Sequence, residues 1–452
     1  MAAELAASER LNYLSKKQRA VSSRHSRQII SATNGAKFFP GQQTVIQIAG
    51  GQSATYWDFQ NSYIKLKVTN TRSQNNDGDK IGVGSVYDLI SRLEILADGQ
   101  TLSNIEEYGA LVRQYQRLEV GGQWVAHVGE ILTGLQNNQA NVNVIEGGVT
   151  RTYCFPLVMT PLFNVNKYIP LIGRSNLQIR ITWADHALGY NVYKNNTSES
   201  SVTSTDIEYS PVQMVCSMVR LSGEANQMVL QNTGGIFELI TSDFRLARGK
   251  INTVNEKSLN VNCGFAFSSL DRVSFSFYSQ LTNKNRLNRL NCQYHGDVAN
   301  FALSINGEEY PRKRIDVTPS TSSADDEANN NGAESLAEAI IAHRSLGDWN
   351  HSSTVSANRW CCDYANADET ANTAGTVFMI DTEAMQPHVG DTLYSGISTI
   401  GATTHLLADI QTTITNNGTS NAGKDYVVLI YGQFTTALTL DMEGTQTWIV
   451  SV

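Results

Sequence analysis

The stretch Thr152–Trp183, TYCFPLVMTPLFNVNKYIPLIGRSNLQIRITW, decides the fold class. Its last seven residues alternate, with Leu177, Ile179, Ile181 and Trp183 on one face and Gln178, Arg180 and Thr182 on the other. Period two over that length describes a strand with one buried and one wet face. The apolar run Phe155–Met159 predicts a second, shorter strand, followed by a turn at Pro161 and a compact segment to Pro170. Strands punctuated in this way by Pro and Gly belong to β-sandwiches or barrels.

Working outward, the same signature recurs on both sides. Towards the N-terminus, strands are predicted at Thr44–Ile48, Tyr63–Asn70 and Leu89–Leu96, the last running into the tight-turn pair Asp98-Gly99. Ser103-Asn104-Ile105-Glu106 fits a helix capping box. Ile105, Tyr108, Leu111, Val112, Tyr115 and Leu118 then fall on one helical stripe. Tyr209–Leu221 closes this first set of strands, and residues 222–235 form a connector with a short helical piece and a Gly-Gly stop.

A second set follows: Ile236–Arg245, Ser258–Phe267, Arg272–Tyr278, Ala302–Ile305 before the turn pair Asn306-Gly307, Thr376–Asp381, His405–Thr413, Tyr426–Phe434 and Ala437–Met442. Between them, residues 317–335 are too polar to pack and are expected to be an exposed loop, with a short helix at Glu334–Arg344. The expected fold is therefore all-β: two tandem eight-stranded sandwiches with short helical insertions. The expected boundaries are a basic arm at 1–40, a first sandwich at 41–228, and a second at 229–452 with a long insertion at about 317–350.

Composition narrows the function. At 452 residues the chain is long for one core, which favours two domains. Charged residues are 17% of the total, against roughly 25% in ordinary soluble domains, so much of the surface is expected to be covered by neighbours. Charge is also unevenly placed. Residues 1–40 carry seven cations (Arg10, Lys16, Lys17, Arg19, Arg24, Arg27 and Lys37) against Glu4 and Glu9, a net of +5 that leaves −13 for the remainder of a chain with net −8. A basic tail on an acidic body can reach an anionic partner that the body cannot. A helix is expected at Glu4–Arg19, then a polar arm to Lys37. No apolar run nears the ~18–20 residues that span a bilayer, and the N-terminus lacks a signal-peptide core. The expectation is a soluble protein made in a reducing compartment. The six cysteines, at 154, 216, 263, 292, 361 and 362, show no C-x-x-C spacing. Reduced thiols are expected, Cys361-Cys362 included.

Catalytic signatures are missing or broken. Gly418–Lys424 matches the first seven positions of a phosphate-binding loop, but Asp425 stands where a Mg²⁺-binding hydroxyl is needed and a strand follows instead of a helix. Gly82-Val83-Gly84 lacks the third Gly of a dinucleotide site, position 87 being Tyr. No H-E-x-x-H, G-x-S-x-G or paired Cys-His spacing occurs. The six Trp do not cluster along the chain as a nucleic-acid stacking platform would. Neither catalytic residues nor cofactor or metal ligands are expected.

The chain resembles the double jelly-roll major capsid proteins of adenovirus, tailless membrane-containing bacteriophages, virophages, polinton-like viruses and giant DNA viruses. Three motifs, in this order and spacing, carry the resemblance. The first is Phe155-Pro156-Leu157 with Lys167-Tyr168-Ile169-Pro170-Leu171 and the alternating strand to Trp183. The second is Ser304-Ile305-Asn306-Gly307 leading to Tyr310-Pro311 after the Val273–Phe277 strand. The third is Gly396-Ile397-Ser398-Thr399 before the closing strands. The resemblance implies a structural subunit that forms pseudo-hexameric trimers tiling an icosahedral shell. It implies partners in sister copies, neighbouring capsomers, and penton and minor capsid proteins. Arg10, Lys16, Lys17, Arg19, Arg24 and Arg27 would then face the inside of the virion, towards an internal membrane or the packaged DNA. The insertion at 317–350 would be an outward tower or an intratrimer contact. The alternatives are a tandem β-sandwich that binds receptors or glycans as a fibre or minor capsid protein, and a β-sandwich hydrolase.

Overall fold

The computed structural model describes residues 22–72, 80–135, 143–165, 167–185, 190–193, 206–252, 256–279, 293, 298–317, 332–343, 346, 355, 360, 375–383, 396–410, 415–416, 419–420, 425–442 and 446–451. The deciding strand is β10, Leu177–Trp183, and it alternates as its sequence predicts, the four apolar residues buried and the three polar ones half-buried. It lies between β2 (Gln43–Ile48) and β5 (Ile90–Ala97), antiparallel to both. Trp183 anchors the strand's end: its indole N–H donates to Thr44 Oγ1 at 2.8 Å, and its ring stacks on Tyr209 with centroids 4.5 Å apart. A buried Trp is tolerated because that one polar atom has a partner.

Two sheets face each other in the first half. One runs β1 (Ser23–Ser31), β12 (Ile207–Leu221), β3 (Thr55–Asn70), β8 (Thr150–Phe155), with β9 (Ile169–Pro170) also on β3. The other runs β2, β10, β5, β6 (Gln100–Glu106). A small sheet of β4 (Lys80–Val83), β7 (Asn143–Ile145) and β11 (Tyr190–Tyr193) accompanies them.

The second half repeats this arrangement. One sheet runs β13 (Ile236–Asn252), β22 (Asp425–Asp441), β15 (Leu270–Ser279), β18 (Phe378–Asp381), with β23 (Trp448–Ser451) on β22. The other runs β14 (Ser258–Asn262), β19 (Thr404–Ile410), β16 (Val298–Ile305), β17 (Glu308–Asp316). The hairpin β20–β21 (Thr415–Asn416, Thr419–Ser420) lies outside both. Number the eight principal strands of each half in chain order: both halves then give one sheet of order 1-8-3-6 and another of order 2-7-4-5. That interleaving is the jelly roll, present twice. Buried apolar residues of both halves join in one continuous cluster.

Several local expectations are corrected. The apolar run after Phe155 is not a strand: β8 ends at Phe155, and Thr160 caps a single helical turn, Pro161–Asn164. The capping box is not used. Ser103 to Glu106 belong to β6, because the Asp98-Gly99 turn (φ 45° and 87°) folds β6 back on β5. Helix α1 starts instead at Tyr108, after Glu107 in the left-handed region, and runs to Glu119 with the predicted stripe from Tyr108 to Leu118 buried. The two predicted closing strands are one, β22, paired with β13 from Asp425 to Asp441. The connector helix α2, Gly223–Thr233, ends on Gly234 in the left-handed region as its sequence suggests. Helix α3 spans Ala333–Ile341. Most of the polar loop, the Glu4–Arg19 helix and the Cys361-Cys362 pair lie outside the described residues.

Candidate assembly surfaces

The first surface is the one the molecule uses internally, between its two halves. Helix α1 lies in the segment joining the fifth and sixth principal strands of the first jelly roll. On one side it is bound tightly to its own half. Arg113 grips Asp88 through Nε and Nη2, both at 2.9 Å, and both side chains are buried. Gly109 lets the helix approach the Val86–Leu89 turn, since a Cβ there would sit 2.5 Å from the Tyr87 carbonyl oxygen. On its other side α1 covers the outer face of the β13–β22–β15 sheet. Ser274 donates to Gln114 Oε1 at 2.9 Å, and Tyr115 donates to Gln433 Oε1 at 3.1 Å. Tyr431 donates to the Glu107 carbonyl at 2.8 Å, and the Tyr115 ring meets Phe244 edge-on at 5.4 Å.

Further contacts frame this seam. Arg248 on β13 reaches Glu106 at 3.2 Å and Glu107 at 3.1 Å. Thr241 donates to the Pro161 carbonyl at 2.7 Å. Tyr56 packs edge-on to Phe237 and donates to Asn226 at 2.8 Å. At the centre Ser103 donates to Asp243 Oδ1 at 2.8 Å, and the Phe244 amide donates to the same oxygen at 2.9 Å. Burial pushes the Asp243 carboxyl up to about 7, the two hydrogen bonds opposing it. The Ser103–Asp243 and Ser274–Gln114 pairs that tie the halves together are buried, whereas the Arg248 pairs at the rim are half-exposed.

Other surfaces are exposed. On the outer face of the first sheet, Ile29 on the edge strand β1 is 49% exposed; it pairs with Val215 on β12, which in turn pairs with Tyr63 on β3. Beside that row Lys65 pairs with Cys154. Next to β8, the helical segment 122–133 displays Trp124, Val128, Ile131 and Leu132 on one stripe, with Ile131 76% exposed.

Of the basic residues singled out in the sequence, Arg10, Lys16, Lys17 and Arg19 lie outside the described residues. Arg24 and Arg27 are exposed on β1, and Arg27 Nη2 donates to the Tyr63 hydroxyl at 3.3 Å. Residues 23–31, read from the sequence as polar arm, are thus the first strand of the first jelly roll. Ile29-Ile30 was the only local sign of it. The seam residues Ser103, Gln114, Asp243, Ser274 and Gln433 carried no sequence signal, because each is an ordinary polar residue until a partner covers it.

The described residues contain no group of three or more His, Cys, Asp or Glu placed to hold a metal ion. None of their helices is long and apolar enough to cross a membrane. Burial pushes the thiols of Cys216 and Cys263 up to about 12, so neither is a poised nucleophile. Asp425 opens β22 directly after the broken phosphate-loop motif, and a strand start offers no helix N-terminus to a phosphate.

No protein-family model matches the sequence, and no curated protein does. Solved structures do match in three dimensions. The PBCV-1 virus capsid superposes with a TM-score of 0.60 at 11% identity, covering 96% of this chain and 98% of that one. The Faustovirus major capsid protein gives 0.56 at 7% identity, over 94% and 91%. A chain of the Sputnik virophage gives 0.53 at 11% identity, over 100% and 93%. With the strand order repeated in both halves and these superpositions spanning nearly the whole of each chain, the protein has the double jelly-roll fold of virus capsid proteins.

Proposed function

We propose that this chain is a major capsid subunit: a non-catalytic building block that forms trimers of pseudo-hexagonal outline and tiles an icosahedral virus shell. The observation that carries the proposal is the exact tandem repetition of one jelly roll, with the halves locked by a buried polar seam. Three copies of a two-part brick supply six similar units, and six similar units pack on a flat hexagonal lattice. The PBCV-1 virus capsid and the Faustovirus major capsid protein match over nine-tenths or more of this chain, which supports the same reading. Neighbouring capsomers, penton and minor capsid proteins would be the further partners. The basic N-terminal residues would point inwards to an anionic surface, either an internal membrane or packaged DNA. Light scattering after size exclusion, followed by negative-stain imaging, tests the proposal. Trimers of hexagonal outline that grow into sheets or shells are expected. A monomer at high concentration that binds a glycan would replace it with a receptor-binding module.

A further inference from the structure

Helix α3 lies in the connection between β17 and β18 and packs on both strands. Near its start the Trp360 indole N–H donates to the Gly332 carbonyl at 2.9 Å and reaches Ser335 Oγ at 3.2 Å. Just past its end His343 is nearly buried between two other elements. Its Nε2 lies 3.0 Å from Glu119 Oε1 on α1, and its Nδ1 lies 3.4 Å from Arg272 Nη1 on β15. A guanidinium can only donate, so Nδ1 is the acceptor and Nε2 carries the proton. The ring also stands edge-on to Tyr115 at 5.6 Å.

The ground on which α3 sits is short of positive charge. Arg272 is the cross-strand partner of Asp381 on β18, and the Glu383 amide donates to Asp381 Oδ1 at 3.0 Å. Next to Arg272 the buried Asp271 accepts from Ser269 at 2.9 Å and from Thr435 at 2.8 Å. On α3 itself Glu338 faces the charges of Glu334, one turn before it, and of Asp381. Among the described residues Arg272 is the one cation beside Asp271 and Glu383, and none stands beside Glu338. Arg272 is itself poorly placed to neutralise them all: Nη1 is turned to His343, and Nε is buried without a partner. The cations of β17 are engaged elsewhere or exposed. Arg314 is held by Glu309 and Asp409, Lys313 by Asp316, and Arg312 faces water.

Carboxyls crowded in this way keep protons that open water would take from them. Burial raises Glu383 to about 7, with Arg272 opposing and Asp271 and Asp381 adding to the rise. Burial raises Asp271 and Glu338 as well. The seated junction therefore holds protons that an opened one releases. Seating must weaken as pH climbs from the ordinary carboxylate range through about 7, and the loss levels off above that.

We infer that this junction is a proton-held joint: α3 stays seated on β15 and β18 while the carboxyls of Glu338, Asp381, Glu383 and Asp271 share protons, and it lifts as pH rises, with both sandwiches still folded. The inference concerns a single chain, goes beyond the capsid-subunit proposal, and stands or falls without it.

The test is hydrogen exchange of the full-length protein, read by mass spectrometry on α3 peptides from pH 5 to pH 8, with the unfolded chain correcting for the intrinsic effect of pH. Protection of α3 is expected to fall about 10-fold over that range, well below the full linkage because Glu338 and Glu383 are half exposed. In the double variant Glu338→Gln, Glu383→Gln the fall is expected to disappear. Glu338→Gln alone, at a half-exposed helix position, should remove part of it and serves if the double variant does not fold. Asp243→Asn, at the seam between the halves, should leave the α3 response unchanged. Protection of α3 that is the same at pH 5 and pH 8 overturns the inference. So does a fall that persists undiminished in the Gln variants, which would place its origin in other groups.

Discussion

Asp243 sits at the middle of the seam between the halves, and its protonation is expected to set how stability varies with pH. Its carboxyl is buried, accepts two hydrogen bonds through Oδ1, and is pushed from the ordinary 3.8 to about 7. Between those two values the folded chain holds a proton that the unfolded chain has released. Stability must therefore fall as pH rises through that window, and it levels off above about 7. At 1.36 kcal/mol per pH unit the full effect is about 4 kcal/mol, of which about 2–3 kcal/mol falls between pH 5 and pH 8.

Asp243→Asn removes the titration and keeps an acceptor at Oδ1 for Ser103 and the Phe244 amide. Thermal melting of wild type and variant from pH 5 to pH 8 measures the difference. With an unfolding entropy of roughly 2.1 cal/mol/K per residue, 2–3 kcal/mol corresponds to about 2–3 °C for a chain of this length. The variant is expected to gain on wild type by that amount as pH rises. Comparing the two curves also cancels Glu383, which burial raises to about 7 in both proteins. Parallel curves, with a gap independent of pH, would refute the argument. Ser103→Ala gives the complementary check: losing one donor to the carboxylate should destabilise more at pH 8 than at pH 5.

Three further outcomes are expected. Arg113→Ala strands Asp88 as a buried unpaired carboxylate and should destabilise by about 3–5 kcal/mol in denaturant unfolding, whereas a surface pair such as Lys313–Asp316 should cost under about 1 kcal/mol. Gly109→Ala should destabilise by about 1–3 kcal/mol although Ala is the better helix former, because the added Cβ meets the Tyr87 carbonyl; a gain in melting temperature would show that the helix can shift away. Deleting residues 1–21 should leave β1 and the melting temperature intact, since β1 starts at Ser23. If Arg10, Lys16, Lys17 and Arg19 each neutralise a phosphate, the salt-dependence slope of DNA binding should fall by about 0.9 for each, and an unchanged slope would remove them from the contact.

What could be read from the sequence was whatever is decided locally. β10 declares itself because its buried and wet faces alternate over seven residues. The β5–β6 and β16–β17 hairpins declare themselves because their backbone needs positive φ, which Asp98-Gly99 and Asn306-Gly307 supply. β1 fails this test: nearly all of it is exposed, and only its pairing with β12 along nine residues makes it a strand. The run Leu157-Val158-Met159 fails in the opposite sense. It is apolar because Leu157 enters the core, yet the backbone turns there and Met159 adopts φ 56°.

The capping box shows why the seam stayed hidden. Ser103 has the right chemistry and spacing to cap a helix, and Glu106 stands where a cap's partner belongs. Both groups are spent across the seam instead, on Asp243 and Arg248. Ser274 and Ser276 mislead in the same way: alternating with Val273, Phe275 and Phe277, they look like the wet side of a strand, but both are fully buried. A hydroxyl facing water and a hydroxyl facing Gln114 are the same letter in the sequence. Polar residues suit such a seam because, before the halves dock, they leave a surface that water can satisfy. Afterwards they fix one orientation, since every buried donor must find its acceptor or lose about 1–3 kcal/mol. The outer face of the first half mixes Ile29, Tyr63, Lys65 and Gln213 in the same spirit.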